Sequence, residues 1–315
     1  MTNKSVVLSL LGLGLFSSGL TANPAFAAEP ARPGTINYVE GAAYIDGQPL
    51  DPKQIGNIDL NPGQELTTSK GKAEILLTPG VFLRVDDNSA VKMISPNLTQ
   101  TQVQVEKGRA AVEVDEIHDQ NNLQIIDAGV TTRLQKTGYY QFDANKPEVM
   151  VFKGKADVEV ADGKGKEVKG NHEFALDGQN GKTAVQEKPA SFSENKSQDE
   201  LMSWSSLRSQ YLAEANNELA PEYAGGGYYP GWYWDPYGFG YTFIGAGPFY
   251  SPFGWGYYPL GWYGGWGGWY GGRGYYGGHY RGHYVGHGGF EHSGFAHSGG
   301  MGGGGFHGGG GGRGR

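Results

Sequence analysis

The sequence contains no cysteine among its 315 residues. This excludes disulfide bonds, thiolate metal sites, a cysteine nucleophile and a lipid-modified cysteine at a signal cleavage site. The sequence also lacks an excess of positive charge, since its formal net charge is −7. Binding to nucleic-acid phosphates requires a basic face, so nucleic acid is not expected as a partner.

Long apolar runs are also scarce, and the clearest one lies at the N-terminus. Lys4 precedes an apolar run over residues 6–20, and the small residues Ala25 and Ala27 follow it. This pattern is typical of a cleaved secretory signal peptide over residues 1–27, which predicts a mature chain that begins at Ala28. The alternative is a membrane anchor, but the run is shorter than the ~20 residues that span hydrocarbon. We therefore expect a periplasmic or extracellular protein with no transmembrane span in its mature form.

Residues 34–187 have the composition of an all-β domain. Short runs rich in Val, Ile, Leu and Thr alternate there with Gly, Pro, Asn and Asp, which is the pattern of successive strands and turns. Val103 and Val105 alternate with polar residues, as in a strand with one buried face. Helical periodicity is absent from this region.

A repeat is present within this region. Residues 105–114 and 151–160 agree at seven of ten positions, and residues 41–45 and 71–75 keep the same frame of Gly, Ala and then Val or Ile at alternate positions. We interpret the Gly as a tight turn with φ above zero, and we expect the Ala and the following Val or Ile to point to one face. Repeated hairpins of this kind predict a β-sandwich or a short β-solenoid. Chance similarity between hairpins is the alternative.

The same strands resemble the FecR-type domain family. The resemblance is carried by residues 63–68, 71–77, 80–85 and 89–93, and it continues through residues 105–114 and 138–160. It implies an all-β extracytoplasmic module that interacts with other proteins and has no chemistry of its own. Some members of the family relay signals from an outer-membrane transporter to a cytoplasmic anti-sigma segment. This chain has a predicted leader where those members have the regulator and the membrane span, so we do not expect transmembrane signalling by this chain alone.

Residues 197–220 are predicted to form one amphipathic helix. Ser197 and Glu200 have the spacing of a capping box, and Pro221 is expected to end the helix. The apolar residues recur at steps of three and four, and they are Leu201, Trp204, Leu207, Tyr211, Ala215 and Leu219. We expect this stripe to pack on the β domain, with a partner or a membrane surface as the alternative.

Residues 221–315 form a low-complexity tail that holds 37 of the 56 glycines, many aromatic residues and few aliphatic ones. Because little aliphatic area offsets the cost of ordering so much glycine, we expect most of the tail to be mobile. Its aromatic rings can stack on a protein, on a polymer or on each other. The candidate partner-binding residues are Trp204, Trp232, Trp234, Tyr237, Phe253, Trp255 and Trp262.

Histidines in the tail are candidate metal ligands. They are His279, His283, His287, His292, His297 and His307. The glycines between them argue against a preformed helical site, so any binding of Zn, Cu or Ni would be loose and lost below about pH 6.5, where imidazole is protonated. Apart from this, no cofactor is expected.

Catalytic residues are not identifiable in the sequence. It has no Gly-x-Ser-x-Gly elbow and no His-Glu-x-x-His motif. The favoured hypothesis is a non-enzymatic extracytoplasmic interaction module that binds an envelope protein or polymer. The alternatives are a structural or adhesive surface component that self-associates through its tail, and a low-affinity metal-binding tail.

Overall fold

A large mixed β-sheet dominates the chain in the computed structural model, which describes residues 31–159, 165–176, 188–223 and 229–259. This sheet has 15 strands. They are β1 (Ile36–Ile45), β2 (Gln48–Pro49), β3 (Glu65–Leu76), β4 (Val81–Val85), β5 (Ala90–Asn97), β6 (Gln100–Lys107), β7 (Arg109–Val114), β8 (Leu123–Asp127), β9 (Val130–Leu134), β10 (Gly138–Asp143), β11 (Glu148–Lys153), β12 (Lys155–Glu159), β13 (Gly165–Lys169), β14 (His172–Ala175) and β15 (Ala190–Ser191). The predicted all-β class is confirmed.

The order of strands in the sheet is β13-β12-β9-β8-β6-β5-β3-β4-β7-β10-β11-β14-β15, with β1 paired to β3 and β2 paired to β1. The β6–β8 pair is parallel and the other pairs of this sheet are antiparallel. The sheet is not closed into a barrel. A short 3₁₀ helix (Pro52–Gln54) lies between β2 and β3.

One apolar core joins the strands from both ends of this order. On β7 the alternate residues Ala110, Val112 and Val114 enter it, and on the distant strand β12 Ala156 and Val158 do so. All the buried residues of this core lie between positions 36 and 176. The period of two along each strand therefore sends one set of side chains inward and leaves the other set on the opposite face.

In the two copies of the predicted repeat, the glycine lies at a bend where the chain stops pairing with two strands and begins pairing with two others. Gly108 separates β6, which pairs with β5 and β8, from β7, which pairs with β4 and β10. Gly154 separates β11 from β12 in the same way. The Ala and Val of both copies are buried in one core, which confirms that they share a face. The glycine, however, forms a bend within a long strand and not the tight turn of a hairpin.

Gly108 and Gly154 are suited to these bends because both have positive φ, 69° and 102°. A methyl group on Gly108 would lie 2.2 Å from Ser89 Oγ, and one on Gly154 would lie 2.2 Å from the Tyr140 hydroxyl oxygen. Both the backbone conformation and the close approach thus favour a residue without a side chain.

After a short helix α1 (Glu194–Ser197), the long helix α2 covers Glu200–Glu222. Asp199 is its N-cap and accepts a hydrogen bond from the Met202 amide at 2.8 Å. The predicted bounds of 197–220 and the capping role of Ser197 are therefore wrong, and Pro221 lies inside the last turn. Asp199 takes the capping role that was predicted for Ser197, because its carboxylate accepts a hydrogen bond from an amide of the first turn.

The buried side of α2 is more polar than the predicted apolar stripe. Leu201, Trp204 and Leu219 are buried as expected, but Leu207 is 44% exposed. Its place on the buried side is taken by Arg208, which is 3% exposed. A search for apolar periodicity alone could not find this, since a charged residue counts against burial unless its partner is known.

Part of the tail is ordered against the rest of the protein. Two hairpins follow α2, the first formed by β16 (Gly231–Asp235) and β17 (Gly240–Ile244) and the second by β18 (Phe249–Tyr250) and β19 (Gly256–Tyr257). Residues 229–259 pack through their aromatic rings, which supply the buried area that aliphatic residues do not.

The predicted leader 1–27, the remainder of the tail and its six candidate histidines lie outside the described residues. Of the helices that the structure describes, none has both the length and the apolar character needed to cross a membrane.

Candidate functional site

The main candidate site is the face of the sheet that points away from the apolar core, which we call the outer face. It is defined by the side chains of Lys72 and Glu74 on β3, Arg84 on β4 with Asp86 just after it, Arg109 and Glu113 on β7 with Asp115 just after it, and Gln141 on β10. All of them except Arg109 are buried. A charged face becomes buried only when another layer covers it, and here residues 199–223 and 229–258, which we call the cover, provide that layer.

An ion-pair network occupies the centre of the outer face. Glu74 and Arg84 are paired residues on neighbouring strands, and Arg84 Nε lies 2.9 Å from Glu74 Oε2. The other side of the Arg84 guanidinium makes a close ion pair with Glu113. Both Arg84 and its two carboxylate partners are completely buried. Together they form a charged chain across three strands.

Arg208 extends this chain from the sheet into α2. Its Nη2 lies 2.9 Å from Glu74 Oε1 and also donates to the Phe239 carbonyl at 2.8 Å. Its guanidinium carbon lies 4.1 Å from the centre of the Tyr38 ring, a cation–π contact. One side chain therefore connects the sheet, the helix and the first hairpin.

The charges in this network balance. Burial alone would raise the pKa of Glu74, but the guanidinium groups of Arg208 and Arg84 outweigh it and hold that pKa at about 2. Asp115 is also buried, and burial together with the negative charge of Glu113 raises its pKa well above the ordinary value. The Glu74 and Glu113 carboxylates face the two guanidinium groups of Arg84 and Arg208.

A second cluster holds the beginning of α2 on the outer face. Arg109 makes a close ion pair with Asp86 and places Nη1 2.6 Å from Asp199 Oδ2. Gln141 donates to the other oxygen of Asp199 at 3.1 Å. Asp199 thus caps the helix and binds the sheet at once. Beside it, Lys72 Nζ lies 2.7 Å from Glu200 Oε1.

Polar side chains fix the rest of the cover. Ser209 Oγ donates to Glu113 Oε1 at 2.7 Å. Asn37 on β1 donates to the Tyr241 carbonyl at 3.0 Å and accepts from the Tyr241 amide at 2.6 Å. Because these bonds are directional, they set the position of the helix and the first hairpin on the sheet.

Five of the seven predicted partner-binding residues contact other residues of the chain, within the cover or between the cover and the sheet. Trp204 donates its indole N–H to Glu40 at 2.8 Å, and Trp255 donates to the Ser206 carbonyl at 3.1 Å. Ring contacts within the chain involve Trp232 with Phe82, Trp234 with Tyr241 and Phe253 with Tyr139, at 5.0, 5.0 and 4.9 Å between ring centroids.

Tyr237 differs from these rings because 76% of it is exposed. Trp262 lies outside the described residues. The binding of a partner by these seven residues stays a prediction.

Within the described residues, no group of three or more His, Asp or Glu side chains is arranged to hold a metal ion. The predicted ligands His279, His283, His287, His292, His297 and His307 lie outside those residues, so metal binding by the tail stays a prediction. The buried charged groups contact one another and the cover, an arrangement that holds two layers of the protein together.

Sequence reasoning missed this site, although a signal was present. Charged residues alternate with apolar ones on three strands, at Lys72 and Glu74, at Arg84, and at Glu113 and Asp115. Each strand alone looks like a half-solvated strand with a polar outer side. Only the pairing of the strands shows that the opposite charges meet.

Comparison with known proteins identifies the region that contains the outer face. Residues 64–165 match the family model described as FecR protein, which is about a third of the 315-residue chain. The resemblance to the FecR family is thereby confirmed over this segment. No curated protein matches the chain.

Two crystal structures from Parabacteroides distasonis ATCC 8503, each described as "a putative anti-sigma factor", are similar to part of the chain. The first shares 12% identity over 40% of this chain and 59% of its own, with a TM-score of 0.33. The second shares 11% identity over 49% of this chain and 72% of its own, with a TM-score of 0.34. The chain thus spans less than two thirds of the first structure.

Proposed function

We propose, from the premise that residues 64–165 are a FecR-type segment, that this protein is a non-enzymatic extracytoplasmic interaction module that binds an envelope protein. The family match is the observation that carries the proposal. The buried titratable groups support it, because Arg84 forms ion pairs with Glu74 and Glu113 of the same chain. A catalytic group needs access to a substrate, and Arg84, Glu74 and Glu113 are completely buried.

The edge of the sheet at β13 is the surface we propose for the partner. Among the described strands, β12 alone pairs with β13, so β13 ends the strand order. Val168 is buried in the core, while Glu167 and Lys169 are exposed. An extended segment of a partner can add to such an edge through backbone hydrogen bonds, with its side chains contacting the exposed alternate positions.

Lysine-reactive cross-linking in intact cells tests this proposal. We expect Lys169 on β13 to cross-link to one envelope protein, and Lys70, an exposed residue on β3, to serve as the internal control. The charge reversal Lys169→Glu should weaken capture of that protein, whereas Lys70→Glu should leave it unchanged. Cross-links distributed equally between the two lysines, or no envelope protein at either, would contradict the proposal.

Sequencing the N-terminus of the protein from the envelope fraction tests its location. A mature chain that begins at Ala28 is expected. A chain that retains residues 1–27 and remains in the cytoplasm would contradict the extracytoplasmic part of the proposal.

A further inference from the structure

The cover packs on the sheet without entering its main core. The main core draws its buried residues from positions 36 to 176 and includes none from the cover. The cover instead contacts the outside of the sheet through smaller clusters, one of which joins Phe82 to Leu212 and Phe243. The hairpins β16–β17 and β18–β19 are two-stranded sheets of their own and do not pair with the main sheet. The cover can therefore leave without breaking a strand pair or opening the main core.

Uncovering the outer face would expose both charged and apolar side chains. Lys72, Asp86 and Arg109 would meet water, which solvates charges well. Phe82, Tyr139 and Phe152, which the cover buries, would need another apolar layer over them. Buried ion pairs contribute little net stability compared with apolar packing, so a face that is always covered has little need of them. The charges instead specify which segment fits the face, because each requires an opposite charge at one position.

A short connection links the cover to the sheet. Phe192 is the last residue anchored to the sheet, through its amide bond to the Asn171 carbonyl at 3.0 Å and its ring contact with Phe152. Asp199 is the first residue of the cover that contacts the outer face. The six residues 193–198 between them reach about 20 Å when extended, and short connections of this kind favour exchange of a segment between two copies.

We propose that the outer face is an interaction surface for a second copy of this chain, and that two copies exchange their covers to form a dimer. A second copy carries the charges that the face is shown to accept, with Asp199 for Arg109, Glu200 for Lys72 and Arg208 for Glu74. Each cover in the dimer makes the contacts that it makes within one chain. The dimer goes beyond the proposed envelope-protein interaction, because it uses the outer face and not the β13 edge.

Charge reversal in trans tests the exchange with the full-length protein. Arg109→Asp places like charges together within one chain, and so does Asp199→Arg. Mixing the two variants gives a dimer with two interfaces. At one interface the new aspartate at position 109 meets the new arginine at position 199, and at the other interface the native Arg109 meets the native Asp199. We expect each variant alone to be mainly monomeric, and the mixture to form a heterodimer of twice the monomer mass in sedimentation velocity and light scattering.

An exposed ion pair provides the matched control. Lys155 and Glu167 lie 2.8 Å apart on neighbouring strands away from the cover, so a mixture of Lys155→Glu and Glu167→Lys should stay monomeric. A control mixture that dimerises as much as the mixture of the Arg109 and Asp199 variants would overturn the proposal. Cross-linking to an envelope protein is read separately, so failure of one proposal leaves the other intact.

A second pair of variants is needed because Asp199→Arg also removes the N-cap of α2. Lys72→Glu and Glu200→Lys reverse the neighbouring ion pair, and Glu200 is largely exposed there, which makes the change mild. Circular dichroism should show an unchanged strand content in all four variants. A heterodimer in this second mixture supports the exchange, and a monomer in both mixtures of folded variants overturns it.

Discussion

Arg208 donates to Glu74 at 2.9 Å, although the two residues are 134 positions apart and lie on a helix and a strand. Neither side chain contacts appreciable solvent, since Glu74 is fully buried and Arg208 is 3% exposed. Two buried charges of this kind depend on each other, because either one alone would lack a counter-charge in a region of low dielectric constant. The contact therefore couples the cover energetically to the sheet.

Removing the guanidinium should destabilise this junction. Arg208→Met leaves Glu74 with the Arg84 guanidinium and the Asn37 side-chain amide, and breaking a buried pair by removal of one partner costs about 3 kcal/mol or more. Urea denaturation followed by tryptophan fluorescence measures the loss. Lys155→Met removes one partner of an exposed pair and should cost less than about 1 kcal/mol. Equal losses in the two variants would contradict the structural role of Arg208.

Asp127 should make the stability fall with rising pH. Burial raises its pKa from the ordinary 3.8 to about 7, and the charges of Asp143 and Glu148 add to this. The folded state then holds a proton that the unfolded chain releases, so stability is present at low pH and declines from about pH 4 to about pH 7. The decline has an upper limit of about 4 kcal/mol.

Asp127→Asn should remove this part of the pH dependence. The variant should exceed the parent protein in stability above pH 7 and match it near pH 4, as measured by urea denaturation across the range. Asp119→Asn, at an exposed loop residue, is the control and should follow the parent curve. A pH dependence that persists in full in Asp127→Asn would show that another group is responsible.

The bend at Gly108 should not tolerate a side chain. Gly108→Ala forces an L-residue into positive φ and places its methyl group against Ser89, so we expect a loss of about 2–4 kcal/mol. Gly129 also has positive φ, at 79°, but nothing lies within 4 Å of a methyl group there. Gly129→Ala should therefore cost only about 1 kcal/mol. Thermal unfolding of both variants separates the backbone effect from the steric one.

The rings of the first hairpin should differ in their effect on order. Trp232→Ala removes a ring that packs on Phe82 and Phe243, and we expect a loss of about 2–3 kcal/mol and faster amide exchange in residues 231–244. Tyr237→Ala removes an exposed ring and should change stability by less than about 0.5 kcal/mol. If partner capture falls in Tyr237→Ala at unchanged stability, this exposed ring is a binding residue.

The sequence was sufficient for features that depend on local periodicity. Val103 and Val105 showed the alternation of a strand, and the repeated frame around Gly108 and Gly154 placed Ala110 and Ala156 in one core. Local pattern could not show that both glycines are bends within long strands, because that depends on which strands pair with each side. The hairpins of the tail were missed for a similar reason, since aromatic residues there are buried only once the sheet is present to receive them.

The outer face was beyond single-sequence reasoning. Asn37 bonds to the backbone of Tyr241, 204 positions away, and no spacing rule links two such residues. Arg208 lies outside the apolar stripe that the sequence predicts, because Leu207 fits such a stripe better than a charged neighbour does. Its burial depends on the Glu74 carboxylate, the Phe239 carbonyl and the Tyr38 ring, all of which are distant in sequence.

The restriction of the main core to residues before 177 has a consequence for the order of assembly. A polypeptide emerges from the ribosome, or from an export channel, with its N-terminal part first. The strands up to β14 can therefore form their main core while α2 and the hairpins are still being threaded, and the charged groups of the outer face stay hydrated in the meantime while Phe82, Tyr139 and Phe152 still lack their cover. The helix then docks last, as a late step that needs no rearrangement of what has already formed.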